Sequence, residues 1–461
     1  MELFIVEIAR YVIILIFGLY TFYSFRAFVG KNKERQNRVF AVQRTLTVLL
    51  HTVMSALLIM ENMTFSYVLL WAAELVFYFV FIKVYQACYK GLSKLVLNNM
   101  MMCMMVGFVM LGRLSSDYAV HQIILAAAAM VVCLFVPLVI EKFTIWERLG
   151  WQYAIAGVLF LLLVFVIGVE KYGSRNWIRL AGITVQPSEF VKIFYVFFMS
   201  SLLAKSTKFK NVALITCAAA VHVVILVVEK DLGAALIYFI TYIMVLYVAT
   251  MNVAYLGAGL AGGAIAAVTA YRLFAHVRTR VYAWQDPWGT IQNEGYQVAR
   301  SLFAIGTGGF IGMGLGKGLP SSVPVVESDF IFAAISEELG GVFAICLIMV
   351  YLSSYIMFVN IAMKMKKQFY KLTAFGLSVV FIFQVFLCVG GVTKFIPSTG
   401  VTLPLISYGG SSIMTTIIIF SIIQGMYVLN GREVEDNGED EQRGGRKERK
   451  KKNRKRDTEK A

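Results

Sequence analysis

The acid best placed for chemistry is Asp329. It lies in P-V-V-E-S-D-F-I-F-A-A-I-S-E-E-L-G, residues 324–340, directly ahead of an apolar run over 342–358. A carboxylate driven to the centre of a bilayer costs about 2.5–3.5 kcal/mol. Followed at once by Phe330, Ile331 and Phe332, this one is expected at the water–lipid boundary. Two readings compete. Ser328 or Asp329 supplies an N-cap oxygen to the helix that follows and complements its dipole. Alternatively, Asp329 accepts a proton. A free Asp, with a pKa of about 3.9, is a weak base, and burial beside Phe330 and Phe332 should raise it. A two-carboxylate hydrolase fits poorly. If 329–337 is helical, Asp329 and Glu337 stand roughly 12 Å apart, wider than the ~6.5–9.5 Å of inverting glycosidase pairs.

Other polar residues cluster at the ends of apolar runs. In G-S-R-N-W-I-R-L-A-G-I-T-V-Q-P-S-E-F-V-K, residues 173–192, Arg175 and Trp177 alternate ahead of a Pro187 that opens a helix. Glu189 and Lys192 then form an i,i+3 pair. Arg and Trp also suit a plain interfacial anchor. Glu229-Lys230-Asp231 interrupts two apolar runs and reads as a solvated turn. Residues 272–328 are too long for a connector and too apolar for a disordered linker. They carry Arg278, Arg280 and W-Q-D-P-W, then a glycine-rich run to Gly318. No register of that run fits a phosphate loop, and no strand pattern precedes it. An amphipathic helix near 296–305, followed by a flexible glycine lip on the membrane surface, is expected. Residues 390–412 hold Lys394, Pro397, Gly400, Pro404 and Ser407. Broken backbone at membrane depth is tolerated where it lines a cavity.

The elements that position these groups are membrane helices. Of 461 residues, 59% are hydrophobic and 15% charged. About thirteen apolar runs are long enough to span ~30 Å of hydrocarbon, near 5–25, 39–60, 65–87, 99–113, 120–140, 150–170, 187–204, 211–228, 233–250, 253–271, 331–360, 370–390 and 410–429. The expected class is an all-α integral membrane protein. Basic loops at 26–38, 83–94, 142–148, 205–210 and 364–371 alternate with the rest and place the N-terminus outside and the C-terminus inside. Segments 173–186, 272–328 and 393–408 then face outward. No cleavable signal peptide is expected, because the first run lacks a basic n-region and a cleavage site. Glu74, inside the third run, reads as an interhelical hydrogen bond. The six cysteines are scattered core hydrophobes and the four histidines have no partner at ligand spacing, so no metal site is encoded. The net charge of +16 is concentrated in loops and in the last twenty residues. Residues 430–461 form a disordered basic tail suited to anionic lipid rather than nucleic acid.

S-D-F-I-F-A-A-I-S-E-E-L-G resembles the T-D-F-I-F-x-x-I-x-E-E-L-G signature of the SEDS family (FtsW, RodA and SpoVE), polytopic bacterial peptidoglycan glycosyltransferases. Family members often read P-E-x-H-T-D. Here Pro324 is kept, and Val325, Glu327 and Ser328 stand at the Glu, His and Thr positions. G-x-R-x-W-I…Q-P-S-E-F-x-K, the D-L-G turn at Asp231, the glycine run and L-P-x-I-S-Y-G-G-S-S match as well. The resemblance implies a ten-span core over 99–429, with residues 1–98 as a three-span addition. It implies Asp329 as the catalytic carboxylate and Arg175 and Trp177 facing the substrate groove. It implies Glu189, Lys192, Asp231 and Ser407 among the substrate-binding residues and a class B penicillin-binding protein as partner. Lipid II, the implied substrate, needs a lateral opening, outward cations for pyrophosphate and one base. Arg175, Arg278, Arg280 and Lys394 are candidate pyrophosphate clamps. A divalent ion, Mg or Mn, would enter only through the substrate pyrophosphate. A lipid II flippase and a non-catalytic scaffold for the penicillin-binding protein are the alternatives. All place the protein in the bacterial plasma membrane.

Overall fold

The computed structural model describes residues 2–431 apart from 30–31, 144, 172–173 and 181–182. The tail from 432, with its expected lipid contact, lies outside the described residues. Among the described residues, thirteen helices are long and apolar enough to cross a membrane, as the sequence implies. The first three are α1 (Glu2–Arg26), α2 (Lys33–Asn62) and α3 (Phe65–Cys88). Then come α4 (Lys94–Leu114), α5 (Ser116–Cys133) continued by the short α6 (Val136–Lys142), and α7 (Gly150–Ile167). The boundary drawn after residue 98 therefore cuts α4 just beyond its first turn.

Among the described residues, one departure from helix, a small sheet, follows α7. Strands β1 (Gly168–Lys171), β2 (Ser174–Leu180) and β3 (Ile183–Val185) form an antiparallel sheet in the order β1-β2-β3. Trp177 pairs with Val169, and Arg179 with Thr184. Backbone leaving a helix needs new hydrogen-bond partners, and the period-2 alternation of β2 lets it find them in a hairpin. Asn176 and Ile178 turn inward, and Arg179 outward.

Helices α8 (Pro187–Lys205), α9 (Phe209–Val228), α10 (Leu232–Thr250) and α11 (Val253–Leu273) follow. Next are the shorter α12 (Ala275–Gln285) and α13 (Tyr296–Gly308), then α14 (Ile331–Lys364), α15 (Gln368–Val392) and α16 (Gly410–Gly431). Burial grades the spans: the hydrophobic window of α4 is wholly enclosed, whereas that of α11 has no buried residue. The methionine run 100–105 of α4 fills this centre with adaptable side chains.

The first three spans are tied into the rest. Phe17 stacks on Phe343 of α14 at 4.1 Å. Asn99 of α4 accepts from the Tyr20 hydroxyl at 2.9 Å and donates to Ser354 at 3.1 Å. Interhelical bonds of this kind contribute about 0.6–2 kcal/mol each in a membrane. Glu74 sits 3.2 Å from His51 of α2, an interhelical contact as expected.

The apolar run at 331–360 forms a single span, α14. It breaks at Gly340, whose φ of 88° and ψ of 166° are not helical. The glycine segment fills the break. Gly341 N–H donates to Gly309 O at 2.8 Å, Val342 N–H to Phe310 O at 3.1 Å, and Met313 N–H to Glu337 O at 2.9 Å. A Cβ on Gly312 would lie 2.4 Å from Glu338 O, and one on Gly340 would lie 2.4 Å from Gly312 N. The expected flexible lip is thus a packed wedge, because two backbones without side chains approach more closely than a lipid surface would hold them. Gly312→Ala is expected to cost about 1–3 kcal/mol, from a φ of 83° and the lost approach. Gly306→Ala, whose Cβ would meet nothing, should be neutral or stabilising. Thermal unfolding in detergent reads both.

Candidate functional site

Asp329 lies at the mouth of the first half of α14. Phe330, not Asp329, occupies the N-cap position, and no side chain caps the helix there. The capping reading fails, which leaves the carboxylate available. It accepts a hydrogen bond from Ser328 Oγ at 3.1 Å. Gly400, with φ 70°, faces both Asp329 and Arg280. A Cβ there would stand 3.4 Å from Asp329 Oδ2 and 3.8 Å from Arg280 Nη2. Burial pushes the Asp329 carboxyl up to about 6. The Ser328 bond and the Arg280 charge pull it down, while Glu327 and Asp231 push it further up. Burial also lowers the Arg280 guanidinium, against the pull of Asp329 and Asp231.

Two elements hold this pair. Arg280 and Trp284, both on α12, reach the 393–400 turn: Arg280 Nη1 donates to Ser398 O at 3.1 Å and Trp284 Nε1 to Lys394 O at 3.0 Å. Lys394, half-buried at φ 60°, therefore shares the turn that faces Asp329. Arg278 does not join them. Two residues from Arg280 it lies on the far side of the helix, donating to Arg272 O at 2.9 Å. Ser407 holds the carboxylate's own segment. Buried, it accepts from Leu403 N–H at 2.8 Å and donates to Ser328 O. Tyr408 N–H donates to Glu327 O at 2.8 Å. Ser407 is thus enclosed within the frame beneath Asp329.

Asp231 is a second hub. It caps α10 through Ala234 N–H at 3.1 Å. Its Oδ2 accepts from Asn176 at 3.1 Å, Gln186 at 2.9 Å and Ser188 at 3.0 Å. The turn read as solvated is in fact enclosed, with Glu229 2% and Asp231 7% exposed. The reason is tertiary: β2 and the start of α8 close over it. Among the described residues, neither Glu229 oxygen has a hydrogen-bond partner. Burial, then the neighbouring Asp231, pushes it up to about 8.

Lys192 is a third. Its ammonium, buried, bridges Glu189 at 2.7 Å and Gln384 of α15 at 2.8 Å. Gln384 in turn donates to Thr402 O at 3.2 Å. Glu189 and Lys192 brace α8 against α15 and the turn before Ser407. Trp177, half-buried, lies on the face of β2 opposite Asn176. The side chain of Arg175 lies outside the described residues. Sequence reasoning gave no role to Asn176 or Gln384, and marked Gly400 only as a break in the 390–412 segment; Asn176 left a signal as the residue beside Trp177. The other acids of the signature are engaged elsewhere. Glu337 accepts from Leu319 N–H at 3.1 Å, and Glu338 pairs with Arg113 at 3.0 Å.

A family model described as "Cell cycle protein", FtsW/RodA/SpoVE, matches residues 86–429. The chain belongs to the FtsW/RodA/SpoVE family. It is 38% identical over 295 residues to the peptidoglycan glycosyltransferase RodA of Mycobacterium tuberculosis, across 60% of this chain and 63% of that one. The match thus spans under two thirds of that relative's length. To the probable peptidoglycan glycosyltransferase FtsW of Saccharophagus degradans it is 31% identical over 349 residues, across 69% of this chain and 88% of the other. Among solved structures, a chain of a peptidoglycan synthase complex that coordinates polymerization and crosslinking superposes with a TM-score of 0.62 at 24% identity. It covers 75% of this chain and 99% of its own. The Thermus thermophilus RodA crystal structure superposes at 0.53 with 22% identity, over 73% of this chain and 97% of that one. The fold is shared with both. The FtsW/RodA/SpoVE match leaves α1, α2 and nearly all of α3 outside it.

Glu229 yields a pH test. Its folded pKa near 8 exceeds the ordinary 4.5. The folded state therefore binds more protons than the unfolded state between those values, and stability falls as pH rises through that window. Glu229→Gln, which cannot ionise, is expected to raise the Tm at pH 8 and to leave it unchanged near pH 4.5. Intrinsic fluorescence during heating at the two pH values measures this.

Proposed function

We propose that this chain is a peptidoglycan glycosyltransferase that polymerises lipid II at the outer face of the bacterial plasma membrane. The supporting observation is the uncapped, half-buried carboxylate of Asp329 across Gly400 from Arg280. The family it belongs to and the names of its relatives support the same reading. The 4-hydroxyl of one lipid II attacks the anomeric carbon of the growing glycan. The new C–O bond forms as the bond to polyprenyl pyrophosphate breaks. The hydroxyl proton passes to Asp329 as general base. The electron pair leaves with the pyrophosphate, whose charge Arg280 and Lys394 face. Trp177, with Arg175 two residues before it in sequence, borders the sugar side.

Asp231, Glu189, Lys192 and Ser407 serve this reaction as a frame, since each is engaged with protein groups. Arg278 carries a weaker role, facing approaching phosphate from the water side. Any Mg or Mn arrives on the substrate pyrophosphate. The N-terminus lies outside and the C-terminus inside, by the alternation of basic loops. A class B penicillin-binding protein is the proposed partner, consistent with the fold shared with a chain of a synthase complex. The basic tail is proposed to lie on anionic lipid.

Asp329→Asn is expected to lower polymer formation from labelled lipid II by at least about 100-fold. A flippase would form no polymer even as the unaltered protein, and a scaffold would be indifferent to the change. Because the base must be ionised, kcat/KM should fall about tenfold per unit as pH drops below about 6, where burial sets this carboxyl. Arg280→Gln removes a cation that holds the carboxyl down, so its acid limb should move to higher pH. Rates measured between pH 4.5 and 8 test both.

A further inference from the structure

Helices α1 and α2 lie ahead of the family match, yet their ends reach the glycine wedge that fills the break in α14. Three residues do this, each at a glycine in the left-handed region. Arg10 Nη1 donates to Gly312 O at 3.3 Å. Val6 Cγ1 stands 2.8 Å from where a Gly314 Cβ would lie. The Glu61 carboxylate covers Gly316, with Oε2 2.1 Å from that glycine's absent Cβ. The φ values are 83°, 98° and 86°. Glu7 fixes the Arg10 guanidinium at 2.6 Å.

The opposite side of the same segment lies on α14. Gly314 N–H donates to Glu338 O at 2.9 Å, and Gly316 N–H to Glu338 Oε2 at 3.2 Å. Arg113 of α4 completes that side by pairing with Glu338. The wedge is therefore held between two layers, α14 within and α1–α2 without. The inner layer is the half-helix that runs back from Gly340 to Ile331, with Asp329 two residues before it. Few side chains exist on the wedge to lock it by packing, so its place depends on what presses on its two faces.

We propose that α1 and α2 form a built-in clamp on the glycine wedge, and that Arg10 and Glu61 are positioning residues for Asp329. The proposal rests on the reading of Asp329 as the base, but the clamp itself is measurable without activity. Releasing the outer layer lets the wedge and the first half of α14 shift. Water then reaches Asp329, and its carboxyl moves toward the ordinary range.

The test uses the full-length protein, unaltered and as Arg10→Ala/Glu61→Ala. Hydrogen exchange over 309–319 is expected to quicken at least tenfold in the double variant, with α4 and α16 unchanged. In lipid II polymerisation kcat should fall at least fivefold with KM within twofold, and the acid limb should move to lower pH. Arg10→Lys, which keeps the donor, should restore most of both. Unchanged exchange over 309–319 overturns the clamp. Faster exchange with unchanged kcat and unchanged pH profile overturns the positioning role. Should the double variant not survive purification, Glu61→Ala alone gives the same readouts, because Glu61 is exposed at the end of α2. Failure of the base reading appears separately, as activity retained by Asp329→Asn.

Discussion

The molecule depends on one backbone contact, the seating of residues 309–313 in the break of α14 at Gly340. A membrane helix that stops hydrogen bonding to itself must have its freed amides and carbonyls taken up by protein. Here Gly309, Phe310 and Met313 do so through main-chain bonds. Gly312 and Gly340 allow the approach because neither has a Cβ. The result is a half-helix, residues 331–340, whose first turn is buried while Asp329 just before it is half-exposed. A carboxylate just before that turn is neither spent on capping nor fully withdrawn from water.

Around that carboxylate the protein arranges charge by burial. Asp329 and Arg280 are both partly desolvated, and each loses some of the cost of ionisation to the other. Asp231 stands behind them, saturated by four donors. Glu229 has no such donors among the described residues, and burial pushes its carboxyl up to about 8. The contrast follows from where the covering segment puts its polar atoms: Asn176, Gln186 and Ser188 all point to Asp231. Two acids two residues apart thus differ in their hydrogen bonding because β2 and the start of α8 direct their polar side chains to only one of them.

Rigidity comes from three layers of brace. Lys192 and Gln384 tie α8 to α15 and to Thr402. Ser407 and Tyr408 tie the turn before α16 to the backbone on either side of Ser328. Arg10 and Glu61 press the wedge from outside. These braces link segments up to 302 residues apart, so the site is a property of the whole bundle.

By itself the sequence determined the class and the number of spans, and it marked Asp329 as the candidate acid. Those signals are local: apolar run length, charge in short loops, and a carboxylate at the head of a helix. It determined Arg280 as a cation near the site, but not which of Arg278 and Arg280 turns inward, because that depends on how α12 rolls against the 393–400 turn. It placed Glu229 in water, since nothing nearby in the chain shows that β2 will cover it. It read the glycine run as a free lip, since glycine reports only that side chains are missing and not what fills the space. The break at Gly340, the burial of Glu229 and the reach of α1 and α2 to the wedge were decided by tertiary structure. Each depends on backbone and polar groups far apart in the chain meeting at distances that only packing sets.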